Sequence, residues 1–212
     1  MSRYLDETIQ RFPQLSVCRD DVAGAFALMR DSFRAGGKLL VCGNGGSAAD
    51  SEHITGELLK GFYSKRPLSS DERARVGAEL ADVLQGGLPA IPLTGFMSLT
   101  SAFGNDVAAE AAFAQLTWAL GRKGDVLLGI STSGNARNVL MAFQAARAAG
   151  MAVIGLSGKT GARMAAAADV CIRVPETSTP LIQELHLPVY HCLCGMLEEV
   201  FFGRRAASAV AD

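Results

Sequence analysis

Short apolar runs alternate with amphipathic stretches along most of the 212-residue chain. The runs have the length of buried β-strands, and turn-forming residues follow each of them. Near-continuous apolar strands separated by helices are typical of a parallel sheet that helices cover on both faces. The predicted strands are Lys38–Gly43, Leu88–Thr94, Asp125–Thr132, Ala152–Gly158 and Val170–Pro175. The pattern therefore predicts an α/β fold, with the second strand at an edge because it contains two prolines.

The helices predicted between these strands vary in length and in the signals at their ends. Two consecutive glycines, Gly36–Gly37, are expected to end the second helix before the first strand. The segment Ser64–Gly87 is interpreted as an insertion, in which Ser70 and Asp71 are candidates to cap a charged surface helix over about 71–85. The chain is expected to form one domain, and its helices span about 2–16, 20–35, 47–62, 107–121, 136–149, 160–167 and 180–202.

Composition and charge exclude several classes of protein. Apolar residues make up 49% of the chain, enough for a full core, and the net charge is −1. No run of lysine and arginine exceeds two residues, so nonspecific nucleic-acid binding is not expected. No apolar segment approaches the length of a membrane span, so no membrane association is expected either. The five cysteines contain no CxxC pair, which favours buried, reduced thiols in a cytoplasmic protein.

The loop after the first predicted strand, CGNGGS, leads directly into a helix. Gly43, Gly45 and Gly46 let the backbone approach a ligand closely, and Ser47 lies near the first helical turn, where free N–H groups favour an anion. A P-loop is excluded because GxxxxGK[ST] is absent. Gly43, Gly45 and Ala48 fit the dinucleotide-binding pattern, but no acidic residue ends the second strand to bind a ribose. We therefore favour a single small phosphate over a dinucleotide.

A second loop of the same design, ISTSGNARN, follows the third predicted strand. Ser131, Thr132 and Ser133 offer three hydroxyls, and Asn135 tolerates unusual backbone angles. Ligands of open α/β sheets bind beyond the carboxyl ends of the strands, at the switch in strand order. If the first and third strands are neighbours there, both loops face one crevice. The alternative is that these hydroxyls only cap helices.

The last predicted helix and the helix after the first loop carry all three histidines. His53 and Glu57 are spaced i, i+4 and share a helix face, whereas Gln183 and His191 belong to an apolar ridge typical of a buried helix. Glu57 and His191 are candidates to move protons between adjacent sugar carbons through an enediol. The four residues could also hold a divalent metal, and their donors suit zinc, although glutamine is an unusual ligand. His186 could belong to the site, or it could be a structural histidine of the core.

Four ordered motifs resemble the phosphoheptose isomerases of the sugar-isomerase (SIS) domain superfamily. They are CGNGGSAADSEH, FGND, GDVLLGISTSGNARNVL and IQELHLPVYHCLC. The resemblance implies a flavodoxin-like, three-layer sandwich with a five-stranded parallel sheet. It also implies a homotetramer whose active sites are built by neighbouring subunits. The implied reaction converts sedoheptulose 7-phosphate to D-glycero-D-manno-heptose 7-phosphate, an aldose–ketose isomerisation.

The same resemblance implies roles for individual residues. Glu57 matches the family's proposed base and His191 its acid–base partner. The implied substrate and phosphate positions are Gly45, Gly46, Ser47, Asn105, Asp106, Ser131, Thr132, Ser133, Asn135 and Gln183. Some members bind zinc at the positions that match His53, Glu57, Gln183 and His191.

Three departures from the family's pattern bear on the substrate. Ala136 replaces a hydroxyl residue after STSGN. The family's ELxGR reads ELLKG here, so an arginine is missing, and Lys60 is the candidate to substitute for it. The insertion could reshape the mouth of the site. Another seven- or eight-carbon sugar phosphate is therefore an alternative substrate. A noncatalytic SIS module that senses a sugar phosphate or binds a protein partner is the alternative function. Such a module would have little need for both Glu57 and His191.

Overall fold

A single parallel sheet organises the chain, of which the computed structural model describes residues 2–208. The sheet has the order β2-β1-β3-β4-β5, and every neighbouring pair is parallel. The strands are β1 (Leu39–Gly43), β2 (Ala90–Pro92), β3 (Val126–Ser131), β4 (Ala152–Ser157) and β5 (Val170–Arg173). All five predicted strands are confirmed, each slightly shorter than expected, and β2 lies at the edge as its prolines indicate.

Ten α-helices lie within the described residues. They are α1 (Arg3–Arg11), α2 (Arg19–Arg34), α3 (Gly46–Leu59), α4 (Ser70–Val76), α5 (Ala78–Ala81), α6 (Met97–Phe103), α7 (Ala112–Leu120), α8 (Arg137–Ala148), α9 (Ala162–Ala167) and α10 (Thr179–Ser208). None of them combines the length and the hydrophobicity that a membrane crossing requires. All five cysteines are free, and only Cys171 is not fully buried.

Helices cover both faces of the sheet because strand side chains alternate between them. Leu39 and Val41 of β1 pack in the core cluster that includes α2 and α10. Leu40 and Cys42, from the same strand, pack in the second cluster with α7 and α8. The predicted three-layer arrangement is confirmed.

Two helix predictions are wrong in their boundaries. The helix expected over 2–16 ends at Arg11, and Pro13–Cys18 forms a 3-10 helix, because proline has no N–H to continue the α-helical ladder. The helix expected over 107–121 begins only at Ala112. Before it come α6, which the sequence did not predict, a π-helical turn at Gly104–Ala108 and a short 3-10 helix.

The segment interpreted as an insertion holds two short helices rather than one. Ser69, not Ser70, is the N-cap of α4, where it forms a capping box with Glu72. Gly77, with φ of 82°, separates α4 from α5, a left-handed backbone angle that glycine adopts without strain. An antiparallel bridge between Pro67 and Gln85 closes the base of this segment. The two ends of the segment therefore lie side by side where it joins the rest of the fold.

A buried carboxylate joins the segment after α3 to α10. Glu198 accepts hydrogen bonds of 2.8 Å from the backbone N–H groups of Phe62, Tyr63 and Ser64. It also pairs with Arg66 at 2.6 Å, and the two side chains are 4% and 0% exposed. The Arg66 guanidinium donates in addition to the carbonyls of residues 57 and 58 at the end of α3. These bonds fix the position of α10 beside α3.

We expect Glu198→Gln to lower the free energy of unfolding by about 3–5 kcal/mol, because it leaves the buried Arg66 guanidinium without its counter-charge. Urea unfolding at a fixed protein concentration measures the change. The control is Glu199→Gln, whose partner Arg3 is exposed, and it should cost less than about 1 kcal/mol. Equal losses for the two variants would contradict the role given to Glu198.

Candidate functional site

The two glycine- and serine-containing loops follow neighbouring strands in the middle of the sheet. β1 pairs with β3 from Leu39↔Val126 to Gly43↔Ile130. The chain runs from β1 outward to β2 and then back to β3, so the strand order switches between β1 and β3. Crevices at such a switch are the usual ligand sites of open α/β sheets. The expectation that both loops flank one crevice is therefore confirmed.

The first loop brings a helix N-terminus to this crevice. Gly45, with φ of 57°, is the N-cap of α3, and Ser47 in the first turn is buried. A methyl group on Gly43 would collide with the backbone of Ser47, so the loop packs too tightly for any side chain there. Loop residues also line a cavity of about 430 Å³ that reaches Thr94 and Ser101. The N–H groups of Ser47 and Ala48 donate to the carbonyls of Asn44 and Gly45, so the positive end of the helix dipole and the Ser47 hydroxyl are what this helix start offers a phosphate.

Hydrogen bonds within the second loop hold its shape. Gly134, with φ of 66°, donates its N–H to the carbonyl of Ser131, and Ser157 of β4 donates its hydroxyl to that same carbonyl at 2.7 Å. Ser131 itself is buried, whereas Ser133 and Asn135 are exposed. The Ser133 hydroxyl accepts from the N–H of Asn135 at 3.2 Å. The loop is thus rigid at its base and presents polar groups at its tip.

Two asparagines that the sequence analysis did not select tie the loops together. The Asn44 amide donates to the Asn138 side-chain oxygen at 2.9 Å, and Asn138 donates back at 2.8 Å. This reciprocal pair crosses the crevice, since Asn44 belongs to the first loop and Asn138 to the start of α8. It fixes the separation of the two helix starts that would share an anion.

The acid–base residues predicted from the sequence meet between α3 and α10. The Nε2 atom of His53 lies 3.2 Å from the Glu57 carboxylate, and the rings of His53 and His191 are 5.1 Å apart between centroids. Lys60 contacts the other oxygen of Glu57 at 3.1 Å. The Nε2 atom of His191 is buried without a hydrogen-bond partner. Burial and the neighbouring His53 lower the pKa of His191, so its ring is neutral at neutral pH.

Two further residues join this cluster, and the sequence analysis missed both. The Tyr190 hydroxyl lies 3.0 Å from Nδ1 of His53 and 3.3 Å from the Asp50 carboxylate. Asp50 stands three residues before His53 on the same face of α3, so helical periodicity could have identified it. Tyr190 lies seven residues after Gln183, on nearly the same face of α10, but that spacing does not reveal its contact with His53 on another helix.

Gln183 lies near the start of α10, eight residues before His191, and Asn105 and Asp106 lie in the π-helical turn at Gly104–Ala108. The Gln183 amide packs over Gly46 at the start of α3, so closely that a methyl group on Gly46 would collide with it. Asn105 and Asp106 are exposed in the π-helical turn and hydrogen bond to each other at 2.8 Å. Gln183 is thus positioned for the phosphate end of a ligand, and the roles predicted for Asn105 and Asp106 stay predictions.

The ridge of the last helix is more exposed than predicted, and His186 is enclosed in the core. Leu187, in the middle of the ridge between Gln183 and His191, is 41% exposed, so this ridge is not buried within one chain. His186 is fully buried in the core, and burial lowers its pKa to about 4. A neutral, enclosed ring is typical of the structural alternative for His186.

The side chains of this cluster are of types that bind zinc, but they are not already arranged as a zinc site. Two imidazoles and a carboxylate, from His53, His191 and Glu57, are ligand types that zinc prefers. The unpartnered Nε2 of His191 is a donor atom available to a metal. Among the described residues, however, no three histidine, cysteine, aspartate or glutamate side chains already stand at metal-binding positions. A metal would require side-chain rearrangement or a further donor.

Comparison with known proteins agrees with the architecture. The family model of the SIS domain matches residues 3–158. The phosphoheptose isomerase of Rhodospirillum rubrum is 45% identical over 188 residues, which are 89% of this chain and 90% of that protein. Structures of phosphoheptose isomerases from Neisseria gonorrhoeae and Francisella tularensis are 34% identical, cover 92% of this chain and 94% and 95% of their own, and give TM-scores of 0.74 and 0.75. The chain therefore belongs to the SIS domain family and, within it, to the phosphoheptose isomerases.

Proposed function

We propose that this protein isomerises sedoheptulose 7-phosphate to D-glycero-D-manno-heptose 7-phosphate. The observation that carries the proposal is the contact of Glu57, His53 and His191 between two helices, one of which starts at an anion-binding loop. A noncatalytic SIS module has no need of this acid–base cluster. Because the relatives are named for the heptose reaction, a seven-carbon substrate is favoured over an eight-carbon one.

The phosphate is held by backbone and hydroxyl groups rather than by lysine or arginine. Ser47, Ser131, Thr132 and Ser133 supply hydroxyls, while Gly45 and Gly46 allow close approach to the helix start. The α3 and α8 macrodipoles each add about half a positive charge at these N-termini. Asn135 and Gln183 are positioned to contribute side-chain amides at the rim of the same crevice.

Glu57 and His191 divide the two proton transfers of an aldose–ketose isomerisation. Glu57 removes a proton from C1 of the ketose and returns it to C2, through an enediol. His191, which starts as a neutral ring, donates a proton to the C2 oxygen and accepts one from the C1 hydroxyl. No proton is gained or lost overall, as an isomerisation requires. General acid–base groups of this kind contribute about 10²–10⁴-fold each.

We also propose a zinc ion at this cluster, held by His53, Glu57 and His191, with Gln183 as a fourth ligand if its side chain moves from Gly46. Bound there, zinc would polarise the substrate carbonyl and stabilise the negative charge that develops on its oxygen. The unpartnered His191 Nε2 supports this assignment.

A homotetramer with sites completed by neighbouring subunits is part of the proposal. Large apolar side chains are open to solvent in the single chain, including Met97 at 81%, Val107 at 69% and Trp118 at 59% exposure. Exposed apolar surface of this extent supports association between chains. Free, mostly buried cysteines support a reducing, cytoplasmic location.

Glu57→Gln and His191→Gln should each lower kcat for sedoheptulose 7-phosphate by at least about 100-fold, with KM changed far less, because each removes a proton-transfer group. Steady-state kinetics with identification of the heptose product measures both constants. The control is Glu52→Gln on the same helix, since the Glu52 carboxylate is exposed and bonds only to Thr94. Near wild-type kcat in either site variant would refute the acid–base assignment.

Ser131→Ala should raise KM for the phosphorylated sugar by about tenfold while kcat changes little, because a buried hydroxyl at the phosphate is lost. The same kinetic assay gives both values. Ser70→Ala, in the surface segment away from the loops, is the matched control. An unchanged KM in Ser131→Ala would count against a phosphate at the second loop.

Elemental analysis of gently purified protein should find zinc, and His53→Gln should reduce the amount retained by at least about tenfold. Chelation should lower kcat, and added zinc should restore it. Full activity in protein that contains no metal would remove zinc from the proposal while leaving the acid–base roles in place.

A further inference from the structure

Four polar side chains form a continuous series of close contacts around the proposed catalytic base Glu57. Asp50, His53 and Glu57 lie on one face of α3, and Tyr190 of α10 reaches between the first two of them. The Tyr190 hydroxyl is 3.3 Å from Asp50 Oδ1 and 3.0 Å from His53 Nδ1. The other ring nitrogen of His53, Nε2, is 3.2 Å from Glu57. The series therefore runs from one carboxylate to another through a phenol and an imidazole.

The number of protons available determines the direction of these bonds. An ionised carboxylate only accepts, and a tyrosine hydroxyl has one proton to donate. Oδ2 of Asp50 is buried with no hydrogen-bond partner, so the Tyr190 hydroxyl is the donor that the structure gives this carboxylate. Once the Tyr190 proton points to Asp50, the phenol oxygen accepts from Nδ1–H of His53.

We propose that Asp50 and Tyr190 are positioning residues that hold the His53 ring with its proton on Nδ1, toward Tyr190, and with Nε2 facing Glu57. The inference rests on the proposed isomerase function, because it gives Glu57 its partner during the reaction. The identity of the second hydrogen bond sets which nitrogen of a histidine carries the proton.

This tautomer suits a carboxylate that must store a proton briefly. When Glu57 takes the proton from C1 of the substrate, the new carboxylic O–H donates to the Nε2 lone pair of His53, 3.2 Å away. Because an imidazole is ordinarily a stronger base than a carboxylate, the proton is shared between Glu57 and Nε2 of His53 until it returns to C2. In the opposite tautomer, Nε2–H would already donate to Glu57 and would weaken it as a base. The same Nε2 lone pair is what a zinc ion at this position would need.

Nitrogen NMR of the full-length protein, labelled with ¹⁵N-histidine, reads the tautomer directly. The chain has only three histidines, so comparison with His53→Gln assigns the His53 signals. At pH 8 we expect the His53 proton on Nδ1, both in protein as purified and after chelation. In Tyr190→Phe and in Asp50→Ala it should move to Nε2. Both variants should lose about 10–100-fold in kcat with a smaller change in KM, as residues that orient a site histidine do.

The matched control is Tyr4→Phe, because Tyr4 stacks on Tyr63 and makes no hydrogen bond to His53. It should leave the tautomer unchanged. A wild-type His53 protonated on Nε2, or an Nδ1–H that persists in both variants, overturns the inference. The NMR experiment needs no substrate. If the protein isomerises the sugar phosphate while His53 carries its proton on Nε2, this inference alone is refuted. Absence of isomerisation refutes the proposed function itself.

Discussion

The site depends on one buried carboxylate, Glu198, which fixes α10 alongside α3. It accepts from three consecutive backbone N–H groups after α3 and pairs with the fully buried Arg66. Because helices are stiff, fixing this end of α10 also fixes the register of the residues two turns earlier. His191 and Tyr190 then lie against His53. The geometry of the proposed acid–base cluster thus depends on a buried bond network that includes neither His53 nor His191.

The sheet supplies the second constraint. Placing β1 beside β3 brings two helix N-termini to one crevice, and the Asn44–Asn138 amide pair fixes the distance between them. Anion binding here needs no basic side chain, since backbone N–H groups, helix dipoles and hydroxyls suffice for one phosphate. The net charge of −1 agrees with the proposal of a small phosphorylated ligand rather than a polyanion.

The two functional parts of the site lie at different points along α3. Ser47 is in its first turn, and Glu57 is ten residues later, about 15 Å along the helix axis. Gln183 and His191 are related in a similar way on α10, with the exposed Leu187 between them. In a single chain, the proposed phosphate end and the proposed acid–base end are therefore joined by a partly open ridge. This is the surface that a neighbouring subunit would cover in the proposed tetramer.

The sequence by itself determined the strands, the edge position of β2, the two glycine- and serine-containing loops and the pair His53–Glu57. These features depend on local physics: apolar period, proline, glycine and the i, i+4 spacing of a helix. It misplaced the ends of α1 and the start of α7, where a proline and a π-helical turn override a continuous pattern. Only the tertiary structure decided that Tyr190, Asn44, Asn138 and the Arg66–Glu198 pair matter. Each of these acts through a partner 94 to 140 residues away. Local patterns in a sequence carry no information about contacts at such a separation.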